Sequence, residues 1–483
     1  MSLVGRLIGA RKRRWFASLA GVVLMGTGVA SELDAAEYLV SDRATSQVLR
    51  FDTAGQYLGS FVGGDMASNG GLFMPTAMTY AFDGDLFVTS FDLQTGDGRV
   101  LRYDGDSGSF LGTFASGLLV PAGLLYHSAS DTLLVGSLGA NLGDSNQIVR
   151  LTSQGTRLSD IAAGPVSGRT GMVSTAEGDL YVSSFADGPF FTGAVLAYDW
   201  DSSSGDFAYR GPLAGNMALA GAQGLAMDGA GDLYVASLFG QSVIRFDMKG
   251  GVADAGTVLN NAAYPSGIVA GPGEDLLVTS LGNNNPNDPI YPMTFPGSVY
   301  RFNRQTGAMV GQGPFLSHGN EFQPTAIQVR GVEGDLDHDG QLTALDIDSL
   351  TQVVRRGSNI SAFDLNGDQR VDAADRAKWV EQLKRTYYGD ADLDGQFNSS
   401  DLVRVFEVGE YEDTGAMNSW WSDGDWDGDG DFTSGDLVVA FQAGAYEKGP
   451  RPALAAVPEP AGLGTVLAGV ITCLAAWRRT SRA

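Results

Sequence analysis

One phrase recurs through the first two thirds of this chain and restricts its fold more than any other feature. It reads DGDLFVTS (83–90), DTLLVGS (131–137), EGDLYVSS (177–184), AGDLYVAS (230–237) and GEDLLVTS (273–280), with a shorter copy, EYLVS (37–41), in front. Each copy is followed by a loop and a second apolar run: VLRFD (48–52), VLRYD (100–104), IVRL (148–151), VLAYD (195–199), VIRFD (243–247) and VYRF (299–302). Most copies are preceded by a turn and a short strand, as in PTAM (75–78), PAGLL (121–125), TGMV (170–173), QGLAM (223–227) and PSGIV (265–269). The anchoring valines Val40, Val88, Val135, Val182, Val235 and Val278 are spaced by 48, 47, 47, 53 and 43 residues.

Short strands repeating at that period predict small antiparallel sheets packed face to face around an axis. A middle strand covered on both faces should be a continuous apolar run without alternation, and LFV, LLV and LYV are such runs. The Gly-Asp pairs before them supply the turns. Six anchors imply six sheets. The first copy lacks its inner strand, and PTAIQVR (324–330) follows the last copy. Pairing the two would close the ring and remove an open sheet edge; a stacked solenoid is the alternative. These repeats, over 37–330, resemble the NHL and regucalcin/gluconolactonase group of six-bladed β-propellers. That resemblance implies a fold and leaves the activity open.

Enzymes of the gluconolactonase type carry acidic or amide metal ligands where the central strands enter their loops. Here a serine stands after each anchor (Ser41, Ser90, Ser137, Ser184, Ser237 and Ser280), so V-x-S replaces the V-x-D of those relatives. Serine catalysis needs a base within hydrogen-bond reach, and the repeat region offers only His127 and His318. The serines read as strand-end residues that bond loop backbone. His127 reads as a strand-to-turn corner, and His318 as part of a loop leading to the channel face. Two loops, SFADGPFFTGA (184–194) and SLGNNNPNDPIYPMTFPGS (280–298), have the length, aromatics and amides of binding loops for sugars or peptides.

The remainder of the chain changes character. The net charge is −25, and residues 331–450 hold 26 of the 56 acidic residues against nine Lys and Arg. Nucleic acid and anionic membrane surfaces are poor partners for such a chain. The acids follow a twelve-residue grammar. In GDWDGDGDFTSGDL, Asp425, Asp427 and Asp429 occupy positions 1, 3 and 5, Gly430 position 6, Asp431 position 7 through its carbonyl, and Asp436 position 12. This is the pattern of an EF-hand Ca²⁺ loop, in which alternating carboxylates face one side of a tight turn. Three further copies exist: Asp335, Asp337, Asp339, Gln341 and Asp346; Asp364, Asn366, Asp368, Arg370 and Asp375, with Gln369 at the glycine position; and Asp390, Asp392, Asp394, Gln396 and Asp401. Position 8 is apolar in all four (Leu342, Val371, Phe397, Phe432), which an acidic disordered linker would not require. Each loop runs into a helical pattern: LTALDIDSLTQVVRR, DAADRAKWVEQLKR, SSDLVRVFEVGEYE and SGDLVVAFQAGAYE.

Loop-then-helix units with Asp at position 12 resemble dockerin type I repeats. They read as two pairs, 331–388 and 389–450, forming a stalk. The resemblance implies bound Ca²⁺ and a cohesin-like partner chosen by positions 10 and 11. Those positions are Ala344-Leu345, Ala373-Ala374, Ser399-Ser400 and Ser434-Gly435, which do not match one another.

Both ends read as export signals. Arg6, Arg11, Lys12, Arg13 and Arg14 precede an apolar stretch, Trp15 to Val29, and small residues, the pattern of a cleaved signal peptide over 1–36. The single cysteine, Cys473, excludes intrachain disulfides. At the other end, Val457-Pro458-Glu459-Pro460 precedes an apolar run, Ala461 to Trp477, then Arg478, Arg479 and Arg482. Residues 451–483 thus resemble a PEP-CTERM sorting segment: a transmembrane helix, transiently inserted and read by an exosortase-type processing enzyme. A permanent tail anchor is the alternative. The expected fold is mainly β, a six-bladed propeller followed by a small α-helical dockerin-like EF-hand region. The expected protein is exported to the cell envelope, surface or extracellular matrix, where the ring binds a ligand, protein or polysaccharide. The alternative is a propeller enzyme (lactonase, lyase or glycan-degrading) docked through the repeats.

Overall fold

A computed structural model describes residues 36–451 apart from internal segments at 82–83, 93, 139–146, 163–166, 176, 188–191, 217–218, 230, 249–253, 261–263, 272–274 and 283–295. The signal-peptide and sorting-segment readings lie outside the described residues. So do 188–191 and 283–295, the centres of the two long loops. Among the described residues no helix is long and apolar enough to cross a membrane.

Residues 37–330 form six antiparallel sheets among the described residues, five four-stranded and one three-stranded. In five of them the innermost strand begins the sheet in sequence: Met78–Ala81, Pro121–His127, Ser167–Ser174, Ala222–Met227 and Pro265–Ala270. The remaining sheet takes its inner strand from the other end of the region. Pro324–Arg330 pairs with Glu37–Asp42, with Val40 opposite Ile327 and Tyr38 opposite Val329. The extra copy of the inner strand therefore lies where the sequence placed it. In the three-stranded sheet the outer edge is reduced to bridges from Met309 and Leu316 onto the strand Ser298–Asn303.

The apolar runs are buried on both sides, as their lack of alternation requires. Leu39, Val40, Leu86, Phe87, Val88, Leu233, Val235, Leu276 and Leu277 have no accessible surface. Their side chains alternate between clusters on the two faces of each sheet. Leu39 packs with Leu86 and Val88 of the next sheet, whereas Val40 packs with Leu277 and Val299 of the last. Four further clusters join the intervening neighbours in turn. The apolar core is thus a cycle of inter-sheet layers, and the arrangement is propeller-like.

Residues 344–442 supply four short helices: α1 (Ala344–Arg356), α2 (Ala373–Lys378), α3 (Ser399–Val408) and α4 (Ser434–Gln442). The second continues as a π-helical turn over Trp379–Leu383. The helical patterns of the last two repeats end earlier than the sequence suggested, because Gly409 (φ 87°) and Gly444 (φ 61°) adopt left-handed conformations. The two expected pairs also share one core. Ile347, Leu350 and Trp379 of the first segment join Phe397, Val405, Trp421, Trp426 and Phe432 of the second in a continuous buried cluster. Nor does this region stand away from the ring as a stalk; it packs against the turns at one end of it.

Candidate metal centre

Each acidic loop is built by the helix that follows it. The residue at position 9 caps that helix: Thr343, Asp372, Asn398 and Thr433 accept from the backbone N–H two residues on. The position-12 aspartate completes a capping box by accepting from the backbone N–H of position 9: Asp346 from Thr343 (2.7 Å), Asp375 from Asp372 (2.9 Å), Asp401 from Asn398 (2.8 Å) and Asp436 from Thr433 (2.8 Å). Its second oxygen reaches back to the start of the loop, accepting from Leu336, Asn366, Ala391 and Asp427 respectively. One buried carboxylate therefore pins both ends of the turn. The Thr-x-x-Asp and Asn-x-x-Asp spacings were readable as caps in the sequence, although calcium ligation alone would account for them.

Position 1 is held by the loop's own backbone. Asp335 accepts from Asp339 (3.1 Å) and Gly340 (2.8 Å), and Asp390 from Asp394 (3.1 Å) and Gly395 (2.8 Å). Asp337, Asp392 and Asp427 at position 3 each accept from the N–H of position 5. Position 5 does the same for position 7: Asp339 for Gln341, Asp368 for Arg370, Asp394 for Gln396 and Asp429 for Asp431. Position 6 needs a left-handed backbone. Gly340, Gly395 and Gly430 supply it at φ 90°, 90° and 105°, and Gln369 takes the same region at φ 69°.

The outcome is convergence. In the first, third and fourth loops, carboxylate oxygens of Asp335, Asp337 and Asp346, of Asp390, Asp392 and Asp401, and of Asp425, Asp427 and Asp436 lie within 4.8 Å of one another. The second loop keeps the hydrogen-bond pattern through Asp364, Asn366, Asp368 and Asp375. With an amide at position 3 it does not bring three carboxylates together. Asp335 and Asp346 are pushed well above the usual carboxylate range, first by burial and then by their neighbours' charge. Burial lifts Asp390 to about 7 and Asp436 to about 6. Several buried like charges sharing a small volume, on a rigid scaffold of oxygen donors, fit a hard divalent cation.

The fourth loop has help that no local pattern announces. Arg355, at the end of α1, pairs with Asp425 and donates to the Gly428 carbonyl (2.8 Å). Arg376 of α2 donates to the carbonyls of Asp427 (2.6 Å) and Trp426 (3.2 Å). A Cβ at Gly428, whose φ is 90°, would lie 2.3 Å from the Arg376 guanidinium and would displace it. The position-7 side chains turn elsewhere: Gln341 Oε1 accepts from Arg304 (3.0 Å), and Asp431 accepts from the Met417 N–H. All of the apolar position-8 residues join the shared core, Leu342 partly and Val371, Phe397 and Phe432 fully.

In the ring, the serines are in two registers. Ser41 corresponds to Thr89, Ser183 and Thr279, because each bonds the hydroxyl of its sheet's inner strand: Ser41 to Thr325 (2.8 Å), Thr89 to Thr76 (2.9 Å), Ser183 to Thr170 (2.8 Å) and Thr279 to Ser266 (2.8 Å). Those inner hydroxyls donate onward to backbone carbonyls of the neighbouring sheet: Thr76 to Pro121, Thr170 to Ala222, Ser266 to Pro324 and Thr325 to Pro75. The hydroxyls latch sheet to sheet. Ser90, Ser137 and Ser237 sit one residue later and bond the loop leading to the inner strand. At that later position the first copy has Asp42, so V-x-D does occur once. Asp42 accepts from Gln323 N (2.9 Å), Ala44 N (3.2 Å) and Thr45 (2.6 Å), securing the ring's closing loop.

His127 is fully buried in its corner, with Nε2 against the Gly178 carbonyl (2.8 Å) and Nδ1 against Ser130 (2.7 Å). Burial lowers its pKa to about 4. His318 does not face the channel. It stacks on Tyr57 of the outermost strand Tyr57–Val62, with ring centroids 4.2 Å apart, because the segment carrying it runs along the ring's outer edge.

The Dockerin type I domain model matches residues 333–384. No curated protein matches the chain. Among solved structures, the chain is similar to one from a nidogen/laminin complex (13% identity, 61% of this chain and 98% of that one, TM-score 0.47). It is also similar to a streptogramin B lyase (13% identity, 61% and 88%, TM-score 0.39), and to the PQQ-bound aldose sugar dehydrogenase of Streptomyces coelicolor (18% identity, 61% and 91%, TM-score 0.39). These likenesses say nothing of the chemistry of this ring. Residues 333–384 are a dockerin type I domain, a class of module that binds calcium, and the ring before it is propeller-like.

Proposed function

We propose that this is an exported calcium-binding protein in which a six-bladed propeller, residues 37–330, serves as a ligand- or protein-binding module, and residues 331–388 and 389–450 form a dockerin-like docking region. The observation that carries this reading is the fourfold loop grammar with its converging carboxylates. Ca²⁺ would be held by Asp335, Asp337, Asp339 and Asp346; by Asp364, Asn366, Asp368 and Asp375; by Asp390, Asp392, Asp394 and Asp401; and by Asp425, Asp427, Asp429 and Asp436. The position-7 carbonyls of Gln341, Arg370, Gln396 and Asp431 complete the shells. Bound calcium supplies the counter-charge that lets these turns close, so calcium affinity and folding of the region are linked.

A protein partner of cohesin-like type suits the second half of the region. There α3 exposes Val403 and Phe406 and α4 exposes Val438 and Phe441, each more than 40% accessible, at matching places in the two repeats. The tail reading is the export route: removal by an exosortase-type enzyme after transient membrane insertion. Titration of the EDTA-stripped chain with Ca²⁺ tests the calcium reading. Loss of one equivalent in Asp425→Ala/Asp436→Ala supports it, and an unchanged stoichiometry rejects the fourth site. Mass spectrometry of protein recovered from its producing cells tests the tail; a species retaining residues 461–483 rejects processing.

A further inference from the structure

The first calcium loop is only partly presented to solvent. It lies over the mouth of the ring's channel, and its outward residues are engaged within the chain. His338, at position 4, stacks on Tyr80 with ring centroids 3.8 Å apart, and its carbonyl accepts from the Val329 N–H (3.3 Å). Gln341, at position 7, accepts from the Gly229 N–H (3.3 Å) as well as from Arg304 (3.0 Å). Around this centre, Arg356 pairs with Asp131 (3.1 Å), Ser422 donates to Glu177 (3.3 Å), and a Cβ on Gly84 would lie 2.9 Å from Ala362. These contacts reach every sheet of the ring, from Val329 in the sheet that closes it to Arg304 in the last. Residues of the loop, together with Leu345 at position 11, wall a cavity of about 690 Å³ at this end of the channel.

We propose that the ring itself is the docking partner of the first calcium loop, so that ion binding at this loop and closure of the channel mouth form one linked equilibrium. The proposal rests on the calcium reading of the loop. Positions 4 and 7 carry no ligand side chain in a calcium loop, yet their direction is fixed by the backbone that positions 1, 3, 5 and 12 hold around the ion. A turn that opens when its carboxylates are uncompensated withdraws His338 and Gln341 from the ring. A docked ring in turn holds the turn in its ion-binding shape. Linkage makes the two effects equal in free energy. Leu345, at position 11 of this loop, is then on the side facing the chain's own ring and is not free for an external partner.

Hydrogen exchange on the full chain, with calcium and with EDTA, tests this. Calcium should slow exchange about tenfold or more at the Val329 amide and in the turns around Gly84, Asp131 and Gly229. Asp335→Asn with Asp346→Asn should abolish that protection, whereas Asp390→Asn with Asp401→Asn in the third loop should leave it. His338→Ala with Gln341→Ala keeps every ligand side chain and should weaken calcium binding at the first loop alone, by about tenfold. Ring exchange indifferent to calcium, protection that survives the first-loop variant, or unchanged affinity in His338→Ala/Gln341→Ala would each overturn the linkage. Calorimetry on the same samples separates the two readings. If no calcium binds, the metal assignment fails; if calcium binds and the ring does not respond, only the linkage fails.

Discussion

Asp436 holds two roles that a single substitution can separate. It pins the start of α4 by accepting from Thr433 N and Asp427 N, both at 2.8 Å, and its carboxylate converges with those of Asp425 and Asp427, where the proposed ion would sit. Asp436→Ala removes two hydrogen bonds to a charged acceptor, each worth about 1.5–3 kcal/mol. In EDTA part of that loss is returned, because the variant also relieves the burial and, to a smaller extent, the repulsion that lift this carboxyl to about 6. A net loss of about 1–3 kcal/mol is expected there. With calcium at a hundred times its dissociation constant, the wild type gains about 2.7 kcal/mol from that site, and the variant forfeits it as well. Thr433→Ala removes the cap to Gly435 N (3.0 Å) and the long bond its hydroxyl donates to Asp436 (3.4 Å), and should cost about 1 kcal/mol under both conditions. Calorimetric unfolding of the wild type and the two variants, each in calcium and in EDTA, reads these differences directly. For a transition of this size the extra calcium-dependent loss amounts to roughly 10 °C in Tm. Equal losses for Asp436→Ala in calcium and in EDTA would make it a helix cap and nothing more, and the metal assignment at this loop would fall.

Protons and calcium should compete for the same oxygens. Asp390 and Asp436 sit at about 7 and about 6 in the ion-free fold, so calcium affinity of the third and fourth loops should fall as pH drops through that range, as calorimetric titrations at several pH values would show. In EDTA the stability contribution of these carboxyls has the opposite dependence. It is fully present below their unfolded value of about 4 and is lost as pH rises through 6 to 7. His127 behaves the other way again. Its folded pKa of about 4 lies below the ordinary 6.5, so the ring should lose stability as pH falls from 6.5 towards 4, and His127→Gln should flatten that slope. Gly428→Ala should cost about 2 kcal/mol or more, by forcing a left-handed backbone on alanine and displacing Arg376. Gly409→Ala (φ 87°), with nothing near its Cβ, should cost about 1–2 kcal/mol from the backbone alone; denaturant midpoints compare the two.

The ring was legible because its information is local and repeated. Each LFV or LYV run declares a strand buried on both faces, and the surplus PTAIQVR declares the missing partner of EYLVS. The loops were legible because ligand spacing is a property of twelve consecutive residues. What escaped depends on residues far apart in the chain. Arg355 and Arg376 reach the fourth loop from 70 and 51 residues away, and Gln341 meets Gly229 across 112. No spacing rule encodes such contacts, so the helical region read as a stalk of separate pairs although it has one core and rests on the ring. The serines were misaligned for a smaller reason. In the first copy the serine follows its anchor valine directly, one position earlier than in the others, and in a strand one position exchanges a side chain's face for the other. That slip hid both the latch formed by Ser41 and the single V-x-D at Asp42.

The most direct test of the account is the number of calcium ions held by the full chain. Native mass spectrometry of the EDTA-stripped protein, returned to excess calcium, should show four ions per molecule, one for each twelve-residue loop. A smaller number would contradict the reading of those loops as a complete set of calcium sites.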